Sequence, residues 1–163
     1  MPDRQLPDEV SRVTVSDCII PTDRFYETRL HLWLRPENDG SVTVGLTDMA
    51  QTLAGKILHC TSKPLGLSRP ANKPVAILEA AKWLGVIRVP FASTIVGSNE
   101  LVPASASLIN EYPYTKGWVI RLQPDQDDWR QDLLEGVDAP AVYRENFERW
   151  GLAECVHCLG AEV

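Results

Sequence analysis

The sequence lacks any run of about 18 consecutive apolar residues, so no membrane-spanning helix is expected. Its opening, MPDRQLPDEV, lacks a basic segment followed by an apolar one, and so does not read as a signal peptide. It also lacks a surplus of positive charge: 16 Lys and Arg stand against 22 Asp and Glu, a formal net charge of −6. That balance argues against nucleic acid or an anionic membrane surface as a partner. Cysteine is scarce, with four residues at Cys18, Cys60, Cys155 and Cys158. A cytoplasmic location is expected; thiols stay mostly reduced there, and no structural disulfide framework is expected. Low-complexity runs and internal repeats are absent. What is present is a chain of 163 residues, 44% of them apolar, enough for one domain with a real core and some extension. Twelve prolines and ten glycines imply many turns and short elements.

Residues 1–24 are polar and proline-bearing apart from CII at 18–20, and read as a loose N-terminal arm with one short strand. Strands are predicted at Phe25 to Leu34, Ser41 to Leu46 and Lys56 to Cys60, with Asp39-Gly40 as a hairpin signal between the first two. In TDMAQTLAG, Thr47 or Asp48 can cap a short helix that Gly55 ends. Further strands are predicted at Val75 to Ala80, Gly85 to Val89, Ser93 to Val96 and Trp118 to Leu122. PDQDDWRQDLLEG, at 124–136, reads as a helix: three Asp residues crowd its first turn and Trp129 and Leu133 stand i, i+4. A second helix is predicted from near Asp138 and Pro140 to Gly151, with Tyr143, Phe147 and Trp150 as its docking stripe.

Residues 75–90, VAILEAAKWLGVIRVP, place Lys82 inside an apolar run. Ala, Leu, Glu and Lys favour helix, and Glu79 and Lys82 stand i, i+3. The rival is a β-hairpin with Lys82 at its tip, and periodicity does not choose between them. On its own, a lysine there reads as a solvated surface residue.

Four separate segments carry a resemblance that does choose: HLWL around His31 and Trp33, VGLTDMAQ at 44–51, LEAAK at 78–82 and LINEYPYTKGW at 108–118. In order and spacing, from about Phe25 to Leu134, they resemble the glycine cleavage H-protein family of lipoyl carriers. The resemblance implies a mainly β fold, a lipoyl-domain sandwich of two antiparallel sheets with a short internal helix and C-terminal helices. It implies a carrier domain over 25–123 and a helical extension over 124–163 that ends in a C-x-x-C tail. It further implies that Lys82 bears lipoic acid in amide linkage, attached by a lipoate-protein ligase. The chain would then be a carrier visited by enzymes, with no catalytic residues and no metal of its own. His31 reads as a framework residue of its motif.

The sequence departs from the family where the family's polar cleft receives a methylamine-loaded arm. Leu30 and Leu32 replace a Ser and a Glu flanking the family's His, Leu53 replaces a His, and Val86 replaces an Asp. With Glu79 and Trp83, these are the predicted surroundings of the arm. A sheltered ammonium needs polar partners, and four apolar residues offer none. Cys155 and Cys158, in CVHC, are candidate redox thiols or half a zinc site, or else two small residues on a fraying terminus. Cys18 and Cys60 read as packed. An apolar pocket with extra cysteines resembles the lipoate-binding proteins of bacterial sulfur oxidation. That resemblance implies a sulfur-bound cargo, a heterodisulfide-reductase-like complex and other sulfur-transfer enzymes as partners, and a lipoamide dehydrogenase beside them. The alternatives are a glycine cleavage carrier of the aminomethyl group, or an unmodified interaction or metal-binding module on the same fold.

Overall fold

The computed structural model describes residues 12–152. Cys155 and Cys158 lie outside the described residues. Among those described, no helix is long and apolar enough to cross a membrane.

The chain opens with β1 (Arg12–Val15) and β2 (Cys18–Pro21), an antiparallel pair. Ser16 and Asp17 join them with φ of 47° and 70°, the sign that a type I′ hairpin turn requires at both positions. Residues 12–21 therefore form two strands where a loose arm with one was predicted. β3 (Phe25–Glu27) and β4 (Leu32–Pro36) follow, then β5 (Val42–Leu46), α1 (Asp48–Ala54), β6 (Ile57–Ser62) and β7 (Ser68–Arg69). The lysine hairpin is β8 (Ala76–Ala80) with β9 (Trp83–Ile87). β10 (Ser93–Ser98), α2 (Leu108–Glu111), β11 (Ile120–Pro124), β12 (Leu134–Glu135) and α3 (Ala139–Trp150) complete the order.

Seven strands form one sheet in the order β12-β3-β4-β5-β11-β10-β7, and three form another in the order β6-β8-β9. Between these two sheets lies a core that includes Leu32, Leu34, Val44, Leu78, Ile87 and Ile95. The other face of the seven-stranded sheet carries a second core, in which Tyr26, Trp33 and Tyr114 meet Cys18 and Ile20 of β2, Met49 of α1, and Tyr143 and Phe147 of α3. Alternation along β4 divides its residues between them: Leu32 and Leu34 go to the first core and Trp33 to the second. The fold is the mainly β sandwich with a short internal helix, and among the described residues one C-terminal helix stands where two were predicted.

Two more predicted elements change. The single strand Phe25 to Leu34 is a tight hairpin, with Phe25 opposite Leu34 and Glu27 opposite Leu32. The Glu27 carboxylate accepts the Arg29 backbone N–H at 3.0 Å and its Nε at 3.1 Å, which closes the chain into a turn. Residues 124–136 form no helix. Trp129 and Leu133 bury into the first core while Leu134 packs on the second. Adjacent residues on opposite sides suit an extended chain, and Leu134 pairs with Tyr26 in β12. Trp129 makes edge contacts with Phe25 at 5.5 Å and Phe91 at 5.6 Å.

The Trp33 indole lies over Gly45, its cross-strand partner. A Cβ at Gly45 would come within 2.5 Å of the ring. Gly45→Ala is expected to cost about 1–3 kcal/mol through overpacking, read as a lower midpoint in urea at unchanged slope. An unchanged midpoint would show that Trp33 can yield.

Candidate functional site

The turn between β8 and β9 is two residues long, Ala81 and Lys82, with Ala80 opposite Trp83. Neither turn residue has positive φ, so the turn is not of the type I′ or II′ kind. Its stability comes from neighbours. The Ala81 N–H donates to the Lys56 carbonyl at 2.9 Å, and the Lys82 N–H donates to the Ala54 carbonyl at 3.3 Å. The tip is thus bonded to the end of α1. Pairing of β8 with β6 and β9 overrides the helical propensity of EAAKWL.

The end of α1 is itself fixed. Thr47 caps the helix by accepting the Ala50 N–H, and its own N–H donates to the His31 carbonyl at 2.9 Å. Gly55 ends it at φ 74° and ψ −151°, a region that glycine alone enters freely. Below the turn, Asn110 donates from Nδ2 to the Gly55 carbonyl at 3.1 Å and accepts the Ile57 N–H at 2.8 Å. Asp48, fully buried, accepts from Gln51 Nε2 at 2.6 Å and from the Ile19 N–H at 2.8 Å. Tyr114 donates to the Ile19 carbonyl and accepts the Asp48 N–H. Trp33 Nε1 donates to the Pro113 carbonyl at 2.9 Å. The motifs around Trp33, Asp48, Gln51, Asn110 and Tyr114 are therefore the mounting of the lysine hairpin.

Lys82 is exposed. A Cβ at Gly55 would sit 3.7 to 3.8 Å from the Cγ, Cδ and Cε of Lys82, so the lysine stem rests over this glycine. Trp83 folds back over Gly85, where a Cβ would come within 2.5 Å of the indole. Beside the tip is a cleft of about 210 Å³. Leu30, Leu53, Leu78, Trp83 and His31 line it, with Arg29 at one side. Among the described residues, no carboxylate lines it.

Of the predicted surroundings, Leu30, Leu53 and Trp83 meet in this cleft, and three others do not. Leu32 is buried in the first core opposite Leu46. Val86 pairs with Ile77, and Glu79 pairs with Leu84 and His59, on the outer face of the small sheet. Cross-strand partners share a face, and on β8 that face alternates with buried Ala76, Leu78 and Ala80. Leu84, 74% exposed, extends that outer face next to the tip.

His31 stands in the wall of the cleft. Its φ is 58°, its ring lines the cleft, and its Nδ1 is buried without a hydrogen-bond partner among the described residues. Trp150, at the end of α3, packs edge to face against it at 5.3 Å. Burial lowers the imidazole pKa to about 4, with the Glu27 carboxylate pulling the other way. No signal in HLWL distinguishes a wall residue from a framework one, because the left-handed turn that aims the ring appears only in the fold. The folded pKa lies below the unfolded value near 6.5, so the unfolded chain takes the proton first. Stability from this group is expected to be intact above about pH 6.5 and to fall by about 1.4 kcal/mol per unit down to about pH 4. Urea unfolding at pH 7 and pH 5 checks this, and His31→Asn, which tolerates positive φ, should flatten that part of the slope.

The cysteines divide. Cys60 is a free thiol in the first core, and burial pushes its pKa up to about 12, so it is unreactive. Cys18 is buried as predicted but is disulfide-bonded, which corrects the expectation of reduced cysteines.

Lys82 thus stands at the tip of a tight hairpin, braced from below and flanked by an apolar cleft. The family model for the glycine cleavage H-protein matches residues 24–146. Glycine cleavage system H protein 3 of Aquifex aeolicus (strain VF5) is 35% identical over 146 residues, covering 87% of this chain and 90% of the relative. H protein 2 of the same organism is 39% identical over 142 residues, 86% of each. A probable glycine cleavage system H protein 2 of Sulfolobus acidocaldarius is 33% identical over 135 residues, 82% of this chain and 91% of the relative. A crystal structure of a glycine cleavage system H protein from Mycobacterium marinum superposes with a TM-score of 0.65 at 26% identity, covering 82% of this chain and all of that one. The chain belongs to the glycine cleavage H-protein family. Members of this family are carriers and not enzymes, and their cofactor is lipoate, attached covalently to a lysine.

Proposed function

We propose that Lys82 is the lysine that bears lipoate, and that the arm shuttles a sulfur-bound intermediate between enzymes of a cytoplasmic sulfur-oxidation pathway. The residues present suit the group: an exposed amine on a rigid tip, a glycine under its stem and an apolar cleft beside it. When attached, lipoamide supplies a two-electron dithiol–disulfide couple on a long tether. The chain's own part is to hold the anchor still and to offer a sheltered wall.

The observation that carries the sulfur reading is the lining of that cleft. Leu30, Leu53, Leu78 and Trp83 give the cleft an apolar wall, His31 is neutral at pH 7, and the charged neighbour, Arg29, is a cation. Glu27 is engaged by Arg29. Among the described lining residues a sheltered methylammonium finds no anion to pair with, at a cost of several kcal/mol. A neutral or anionic sulfur group meets no such cost. The partners implied are a lipoate-protein ligase, a heterodisulfide-reductase-like complex with other sulfur-transfer enzymes, and a lipoamide dehydrogenase.

The second reading, a glycine cleavage carrier of the aminomethyl group, is favoured by the names of the relatives. One experiment separates the two. Reduced, lipoylated protein is incubated with glycine and glycine cleavage enzymes in one tube and with a persulfide donor in another, and its intact mass is followed. The gain of one sulfur atom is expected in the second tube, with little lasting gain in the first. Efficient, long-lived aminomethyl loading without a sulfur adduct would establish the second reading instead.

A further inference from the structure

A second cleft, of about 620 Å³, adjoins the one beside Lys82, and Arg29 and Leu30 line both. Glu27, Asn72, Arg88 and Asp132 complete its polar lining. Small-molecule sites run from roughly 300 to 1,000 Å³, so the space suits a ligand larger than one amino acid. The fold gathers these residues from three stretches of chain. Glu27 ends β3, and Arg29 lies in the turn to β4. Asp132 stands two residues before Leu134, which pairs with Tyr26 of β3. Asn72 and Arg88 sit on adjoining segments: the Asn72 N–H donates to the Val89 carbonyl at 2.8 Å, and the Val75 N–H to the Ile87 carbonyl at 2.8 Å. Ile87 and Val89 are buried, so alternation turns Arg88 outward between them.

The charges left unpaired define the ligand. Glu27, 7% exposed, is taken up by Arg29, whose N–H and Nε it accepts. The Arg29 Nη groups make no hydrogen bond among the described residues, and the side chain is 81% exposed. Arg88, Asp132 and the Asn72 side chain likewise have no hydrogen bond or ion pair among the described residues. Asp132 acts on Arg29 only through its charge. The cleft thus presents two guanidinium groups, one carboxamide and one carboxylate. Its complement carries two carboxylates and one ammonium. We infer that this cleft binds a short peptide thiol of the glutathione kind, which has that set of charges, and holds the thiol's persulfide beside the arm. The binding half stands on the lining alone; the delivery half rests on the sulfur reading proposed above.

A guanidinium takes a carboxylate through two parallel N–H···O bonds, and the Asp132 carboxylate takes the ammonium. Arg29, Arg88 and Asp132 are all exposed, so the affinity expected is millimolar and falls with salt. The shared wall of Arg29 and Leu30 puts a ligand held here next to the apolar cleft. Delivery needs no further reactant. The persulfide R–S–SH gives its outer sulfur, with the proton, to a thiolate of the reduced arm; its own S–S bond breaks, an S–S bond to the arm forms, and R–S⁻ leaves. Electrons balance because one S–S bond replaces another.

Binding is tested on the full chain without lipoate, labelled with nitrogen-15 and titrated with S-methylglutathione, which cannot exchange sulfur. Saturable NMR shifts are expected at the amides of Leu30, Asn72, Arg88 and Asp132. Arg88→Gln and Asp132→Asn should each weaken binding about tenfold, the effect of losing one charged partner. Both residues are exposed, so the variants keep the fold, which circular dichroism checks. Glutarate, with two carboxylates and no ammonium, should bind more weakly than S-methylglutathione. No saturation by about 20 mM, or glutarate binding as well, would overturn the ligand assigned to the cleft. Delivery is read by the intact mass of reduced, lipoylated protein given limiting glutathione persulfide. The initial gain of one sulfur should slow about tenfold in Arg88→Gln, but not when the donor is cysteamine persulfide, which has no carboxylate. Equal rates from glutathione persulfide in wild type and Arg88→Gln would overturn delivery from this cleft. Saturable binding with no sulfur gained from either persulfide would instead overturn the sulfur reading, with the binding site still standing.

Discussion

Lys82→Arg is expected to emerge from co-expression with a lipoate ligase without any lipoyl adduct, while the wild type gains one. Arginine keeps the charge and nearly the length of lysine, and an arginine at 82 can extend its stem over Gly55 as Lys82 does. It removes only the amine that an acyl group can occupy. Intact mass is the measurement. A single adduct that persists in Lys82→Arg would place the modification on another of the chain's lysines and sink the assignment. Circular dichroism of the variant should match the wild type, because Lys82 is exposed and the tip is bonded through its backbone.

Asp48→Ala should produce the largest loss of stability of any single change discussed. The carboxylate is fully buried and accepts from the Ile19 N–H and from Gln51 Nε2. Its removal strands donors on two elements, β2 and α1, in a place that water does not reach. The cost is expected to be about 3 kcal/mol or more, a Tm lower by roughly 6–12 °C. Lipoylation should fall as well, since α1 offers the carbonyl on which the Lys82 N–H rests. A Tm indistinguishable from wild type would remove Asp48 from the centre of this network.

The sequence was most legible where short motifs repeat a family's order, and least where parity along a strand decides. The segments around Trp33, Asp48, Asn110 and Lys82 pointed to the β sandwich and to the hairpin, against the helical propensity of EAAKWL. Their individual jobs did not follow from the motifs: Gln51 and Asn110 join across 59 residues, a contact that spacing cannot show. Leu30, Leu53 and Trp83 do meet in one cleft. Leu32 and Val86 were grouped with them by position relative to His31 and Lys82, yet strand alternation turns one into the core and the other to the outer face. The helix expected at 124–136 failed for a related reason. The i, i+4 pair Trp129 and Leu133 does share the first core, but Leu134 must reach the second, and only an extended chain permits both.

With lipoate on Lys82, as proposed, the bracing of the Ala81–Lys82 turn bears on how the arm is used. A tether whose root can wander dilutes its cargo over the volume that root explores. Here the root is held by the Lys56 and Ala54 carbonyls, and Asn110 fixes the chain beneath them. The space searched is then set by the arm alone, and the effective concentration of its reactive end at a docked partner is as high as that length permits. Lengthening the turn by flexible residues would leave every contact of the sandwich in place and still slow each visit, because the loss would be one of local concentration and not of structure.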